Sequence, residues 1–141
     1  MGMYTEIYVN VDLKRETPEE VIHVLKAMCG KLDPEAEEEA LKGYPDRWFM
    51  LFSNCSYYTP RTHCKYLEWD RISKQWSLLG KGDIKNYGGE IEAFFEWISP
   101  HVDCWDGDFI GYKRYEESQI PLLFFKKGDC YTTEKPSPGT Y

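Results

Sequence analysis

Three groupings of side chains in this sequence have types and spacings that can do chemistry. The first is the run Tyr112, Lys113, Arg114, Tyr115, in which a guanidinium lies between two phenols. A planar, always-charged guanidinium can grip a phosphate at two points or stack on a flat ligand, and tyrosines add rigid ring surface with a polar tip. The competing reading of Arg114 is a cross-strand salt bridge to an acidic neighbour. The second grouping is Lys81 and Lys85 followed by Tyr87, Gly88, Gly89 and Glu90. Cations and open backbone N–H groups at a helix start can hold an anion. The G-x-x-x-x-G-K-[ST] loop is absent, however, and the glycines also serve simply to turn the chain. Together these give an expected ligand-binding set of Arg114, Tyr112, Tyr115, Lys113, Lys85, Tyr87 and Gly88.

The third grouping is acidic. Asp103, Asp106 and Asp108 crowd one turn around Gly107, and oxygen-rich turns can bind Mg²⁺ or Ca²⁺. The spacing is not that of a calcium loop, Asp and Gly are ordinary turn residues, and a metal would need a further carboxylate from Glu116 or Glu117. Asp106, Asp108 and Glu116 therefore define an alternative, a metal-dependent hydrolase of nucleotides or phosphoesters. The leading expectation has no catalytic residue, no metal and no cofactor. His63 and Cys64, with Cys55 upstream, lack a fourth zinc ligand, and neighbours on a strand point to opposite faces. His23 and His101 read as surface or boundary residues.

These groups need elements to position them. Thr5–Leu13 alternates as a half-buried strand with Ile7, Val9, Val11 and Leu13 on one face. Thr17, Pro18 and Glu20 predict a capped helix start; Val21, Val24, Leu25 and Met28 keep helical spacing, and Gly30 suits a left-handed end. Residues 33–41 predict a short exposed helix or loop. The apolar run Trp48–Phe52 opens an expected central strand over 48–58, with a turn at Thr59–Thr62. Residues 65–70 and 75–79 form an expected hairpin whose end Gly80 and Gly82 loosen. Ile91, Phe94, Phe95 and Ile98 fall at i, i+3, i+4 and i+7 on a second helix that Pro100 stops. Residues 109–116 and 121–126 read as two more strands. Strands in runs with two helices between them predict an α+β fold: a mostly antiparallel sheet of five to six strands backed by two main helices in a two-layer sandwich. Residues 1–131 form the expected single domain, and 132–141 a flexible tail.

The chain has 141 residues, five cysteines and a formal charge of −7. That length can bury a core without staples, and an odd, scattered cysteine set with no C-x-x-C pair reads as reduced thiols. The charge opposes generic nucleic-acid binding. No apolar run approaches the roughly 20 residues of a membrane span, and no signal peptide is evident, so the cytoplasm is the expected location. Tyr57, Tyr58, Tyr66, Tyr87, Tyr112 and Tyr115, out of eleven tyrosines, are expected with Trp69 and Trp76 either on one exposed sheet face or in a packing layer.

In KNYGGEIEAFFEWISPHVD and GYKRYEE, with MYTEIYVNVDLK and TPEEVIHVLKAMCG, the chain resembles a group of small phage and prophage proteins with no assigned activity. That resemblance implies a phage context within a host cytoplasm and no catalytic residues. The functional expectation is a non-catalytic binding protein, a counter-defence factor that sequesters an anionic, nucleotide-type ligand or masks a host protein. A purely structural homo-oligomer is the third alternative.

Overall fold

The structure, a computed structural model, describes residues 4–55 and 63–137. Six strands form one antiparallel sheet: β1 (Thr5–Asp12), β2 (Cys64–Asp70), β3 (Gln75–Ile84), β4 (Phe109–Tyr115), β5 (Leu122–Lys127) and β6 (Cys130–Glu134). Their spatial order is β2-β3-β1-β4-β5-β6. Helices α1 (Glu19–Met28), α2 (Pro34–Ala40) and α3 (Glu90–Ile98) complete the predicted α+β architecture. Strand β1 obeys the alternation read from sequence. Ile7, Val9 and Val11 point inward to join Val24, Leu25 and Met28 of α1 and Phe94, Phe95 and Ile98 of α3 in one core. α1 lies toward β2 and α3 toward β6, so one sheet face is covered and the other is left open.

Helix ends show where local chemistry decided. α1 closes on Gly30, whose φ of 71° is open to glycine at little cost. Gly30 N–H donates to the Ala27 carbonyl and Lys31 N–H to that of Lys26, the paired closure of a Schellman end. The start differs from expectation. Thr17 does not cap α1; its hydroxyl donates to the Lys14 carbonyl at 2.6 Å and closes the turn that leaves β1, so the helix begins after Pro18 with no side-chain cap. α2 is the short exposed helix, capped by Asp33 Oδ1, which accepts from Ala36 N–H at 2.8 Å.

The apolar run Trp48–Phe52 is not a strand. A 3₁₀ helix spans Asp46–Met50, and the chain turns again at Leu51 and Phe52. Trp48, Leu51 and Phe52 are buried while Phe49 is 52% exposed. That is a spacing of three and four, helical rather than strand-like, which a continuous apolar run conceals. The rest of that expected strand and the turn at Thr59–Thr62 lie outside the described residues.

This buried turn explains two glycines. Gly80 and Gly82 do not loosen a hairpin end; they sit inside β3, which runs on to Ile84. A Cβ at Gly80 would meet the Phe52 ring at 2.5 Å, and one at Gly82 the Leu51 carbonyl oxygen at 2.5 Å. Close approach of backbone or ring across a strand is the reason for glycine there. The sheet's sixth member is β6, three residues of which fall in the segment expected to be a flexible tail. Gly128 (φ 57°) and Asp129 make a two-residue turn between Lys127 and Cys130, and β6 pairs with β5 through Glu134.

Candidate functional site

Strand alternation divides the Tyr112–Tyr115 run between the two faces of the sheet. On the open face, Tyr112 stacks on Tyr8 with ring centroids 5.2 Å apart and donates its hydroxyl to Glu6 Oε1 at 2.7 Å. Burial first, and then that bond to Glu6, push the Tyr112 phenol well above its ordinary value. Arg114 lies opposite Glu6 in the β1–β4 register and pairs with it at 3.8 Å, so the salt-bridge reading of Arg114 describes its position. On the helix side, Lys113 Nζ meets Glu92 Oε1 of α3 at 3.3 Å. Tyr115 lies on that side too, opposite Thr5.

The helix entrance that was expected to receive an external anion is filled by the chain's own groups. Gly88 N–H donates to Glu90 Oε2 at 3.1 Å, and Ile91 N–H donates to Asn86 Oδ1 at 3.0 Å. Glu90 is only 5% exposed, and Arg47 Nη1 donates to its other oxygen at 2.6 Å. Tyr87 lies beneath this arginine, 5.7 Å from guanidinium carbon to ring centroid, and Lys85 holds its ammonium 5.6 Å from the Tyr4 ring. Tyr87 and Tyr115 are electrostatic neighbours: the Tyr115 phenol is pushed up by loss of solvent, then by Glu117, Glu116 and Tyr87.

The acidic set does not converge. Asp106 Oδ1 accepts from Gly128 N–H at 2.9 Å, Asp108 Oδ2 from Trp105 N–H at 3.0 Å, and Asp103 Oδ2 from Gln75 Nε2. Asp108 fixes its own turn, Asp106 ties that turn to the one between β5 and β6, and Asp103 reaches across to the start of β3. Glu116 sits beyond the far end of β4, where its carboxylate accepts from Tyr4 N–H at 2.7 Å, and a seven-residue strand of about 23 Å separates it from Asp108. Among the described residues no group of three or more His, Cys, Asp or Glu side chains could hold a metal ion. The five cysteines are free, and burial pushes the Cys29 thiol up to about 12.

Of the clefts among the described residues, two lie against the helix side of the sheet. One, of about 420 Å³, lies on the helix side at the end of β4 and is lined by Thr5, Asn86, Lys113, Tyr115, Ser118 and Lys135, among others. It brings together two residues of the expected set, Lys113 and Tyr115. Arg114 and Tyr112 belong to the other face, and Gly88 is occupied by Glu90. Lys135 was missed because it follows the strand that the sequence reading took for a tail. The other cleft, of about 650 Å³, lies at the opposite ends of the strands, where α1 meets the β2–β3 hairpin; Lys14, Arg15, Lys26, Trp69 and Trp76 line it. The tyrosines and tryptophans do not share one face. Tyr66 and Tyr112 are on the open side, Trp69, Trp76 and Tyr115 on the helix side, and Tyr57 and Tyr58 lie outside the described residues.

Comparison with protein-family models, curated proteins and solved structures finds no match to this chain. No helix among the described residues is long and apolar enough to cross a membrane.

Proposed function

We propose that this chain is a non-catalytic binding protein that holds a small anionic, nucleotide-type ligand. In the phage setting that the sequence resemblance implies, sequestering such a ligand would act as counter-defence. The observation that carries the reading is the 420 Å³ cleft, where the Lys113 and Lys135 ammonium groups and the Tyr115 phenol ring surround a partly apolar hollow. Its size falls within the few hundred cubic ångströms typical of small-molecule sites. Lys113 has three ammonium protons, so its contact with Glu92 leaves donors for a phosphate, and the two lysines offset the charge that phosphate brings. Tyr115 is 41% exposed and offers a ring for a base to stack on.

The test uses cyclic nucleotides as probes. After incubation and heat denaturation, a binding protein returns the probe intact and an enzyme returns product. Binding is expected to weaken at least about tenfold in Lys113→Gln and Lys135→Gln, with the melting temperature of Lys135→Gln unchanged. Probe that stays free throughout overturns the reading.

A second reading, masking of a partner protein or self-association, is favoured by a different observation. On the open face Phe125, Phe109, Tyr8 and Tyr112 form a continuous aromatic row with successive centroids 6.0, 6.4 and 5.2 Å apart, and Phe109 is 46% exposed. Rigid aromatic surface of this kind suits a protein contact. Sedimentation at rising concentration, with Phe109→Lys as the disrupting variant, tests it; a monomer throughout removes self-association.

A further inference from the structure

We infer that the 650 Å³ cleft between α1 and the β2–β3 hairpin is a second ligand site, and that it takes a planar aromatic ring carrying one phosphate or carboxylate. It lies at the opposite strand ends from the lysine cleft and shares no residue with it.

The floor is a cross-strand pair. Trp69 stands opposite Trp76 in the β2–β3 register, their centroids 5.6 Å apart and their planes at 63°. Trp69 is 45% exposed on an edge strand, so much of its ring is open to a stacking partner. Trp76 already carries a cation: Lys26 Nζ lies 5.1 Å from its ring centroid. That contact fixes a positive charge directly beside the aromatic surface, the arrangement a flat anion requires.

Arg15 supplies the other half of the recognition. Its Nε donates to the Ser73 carbonyl at 3.0 Å, in a hairpin turn that Asp70 Oδ1 fixes by accepting from Ile72 N–H at 2.9 Å. The guanidinium is thus already anchored through the nitrogen nearest its stem, so little further ordering is needed when its terminal amino groups meet an oxyanion. Lys14 adjoins it on the same wall. Ring surface, an anchored guanidinium and two ammonium groups around one hollow match a ring-plus-anion ligand rather than an apolar one.

Charge limits the ligand further. Glu19 and Glu20, in the first turn of α1, line the same cleft. Three cations against two carboxylates, in a chain of formal charge −7, favour one compact anionic group and oppose a polyphosphate or a nucleic-acid strand.

The probes are AMP and phenyl phosphate for the phosphate class, and indole-3-acetate and benzoate for the carboxylate class. Adenosine and ribose 5-phosphate lack the charge and the ring respectively. Amide and indole N–H spectra are expected to show Trp69 and Trp76 shifting with at least one class while the indoles of Trp48 and Trp97 stay still, and which class binds identifies the anion. Followed through the Trp69 and Trp76 signals, Arg15→Gln and Trp69→Ala should each weaken binding at this cleft at least about tenfold, and adenosine and ribose 5-phosphate should bind there at least as poorly. Trp69→Phe, which keeps a ring, serves if Trp69→Ala loses the folded spectrum. No shift of the Trp69 and Trp76 signals with any of the four probes at about 10 mM overturns the inference, as does binding that survives both Arg15→Gln and loss of the Trp69 ring.

Discussion

Arg47 and Glu90 form an ion pair whose acidic member is buried and also closes the entrance to its own helix. Arg47 Nη1 lies 2.6 Å from Glu90 Oε1, while Oε2 accepts from Gly88 N–H and the Glu90 carbonyl accepts from the Trp48 indole at 3.1 Å. The 3₁₀ segment Asp46–Met50 is thereby fastened to α3 at two points, through Arg47 and Trp48. An incoming anion at this helix start would have to displace a carboxylate already held by an arginine, which is why the candidate sites lie elsewhere.

Removing the arginine strands a buried charge. Arg47→Ala is expected to cost about 3 kcal/mol, at the lower edge of the range for broken buried pairs because the arginine side chain is 34% exposed. Urea denaturation measures it, and Arg47→Lys should recover part of the loss. A loss below about 0.5 kcal/mol would mean that Glu90 is adequately satisfied by Gly88 alone.

Sequence made the periodic elements legible and hid those set by contact between distant segments. Val21 to Met28 and Ile91 to Ile98 carry the helical stripe in their own spacing, and Ile7 to Val11 the strand alternation, so α1, α3 and β1 could be read directly. Trp48 to Phe52 could not, because an unbroken apolar run is compatible with either period and the choice is made by Glu90 and Gly82. β6 was legible in principle from the Gly128–Asp129 turn before Cys130–Glu134, but the Pro, Ser and Thr that follow outweighed it. At the site, alternation along Tyr112–Tyr115 already implied two faces, and a cross-strand salt bridge at Arg114 was readable; what could not be read was that its partner would be Glu6 and that Glu90 would occupy Gly88. The Trp69–Trp76 pair was legible as a hairpin pair, but not as the floor of a cleft, since Lys14 and Arg15 reach it from the turn that leaves β1 and Lys26 from the packed helix α1.

Gly82 allows the Leu51–Phe52 turn to lie on β3. A methyl group there would fall 2.5 Å from the Leu51 carbonyl oxygen and 2.7 Å from Phe52 Cα, both backbone atoms that no side-chain rotation can move. Gly82→Ala should therefore destabilise by about 2–3 kcal/mol, as overpacking does. Gly30→Ala, with open space around its Cβ, should cost only about 1 kcal/mol for its φ of 71°. Equal losses in the two variants, measured by denaturant unfolding, would refute the close-approach account.

Arg114 and Glu6 are not equivalent partners. Arg114 is 37% exposed and 3.8 Å from its carboxylate, so Arg114→Ala is expected to cost under about 1 kcal/mol. Glu6 also accepts the Tyr112 hydroxyl at 2.7 Å, so Glu6→Ala removes two interactions and should cost more, about 1–2 kcal/mol. Thermal melts of the two variants rank them. The reverse order would show that Arg114 contributes more through its packing than through its pair with Glu6, since Glu6→Ala removes that pair as well.

Cys29 makes the folded state sensitive to alkali. Burial holds its thiol near 12 against an ordinary 9.0, with Lys31 and Lys65 opposing the shift and Cys64 adding to it. Below pH 9 the thiol is protonated in both folded and unfolded chains and contributes no pH dependence. Between pH 9 and 12 the unfolded chain releases the proton while the folded chain keeps it, so stability falls as pH rises, by on the order of 1 kcal/mol at pH 10. Cys29→Ala should flatten that part of the profile, whatever its effect on stability at pH 7. The same burial protects the sulfur: near pH 8 an aromatic disulfide reagent should modify exposed Cys130 quickly and Cys29 only at the rate of unfolding. Rapid modification of Cys29 in the folded protein, or an unchanged alkaline slope in Cys29→Ala, would contradict the assignment.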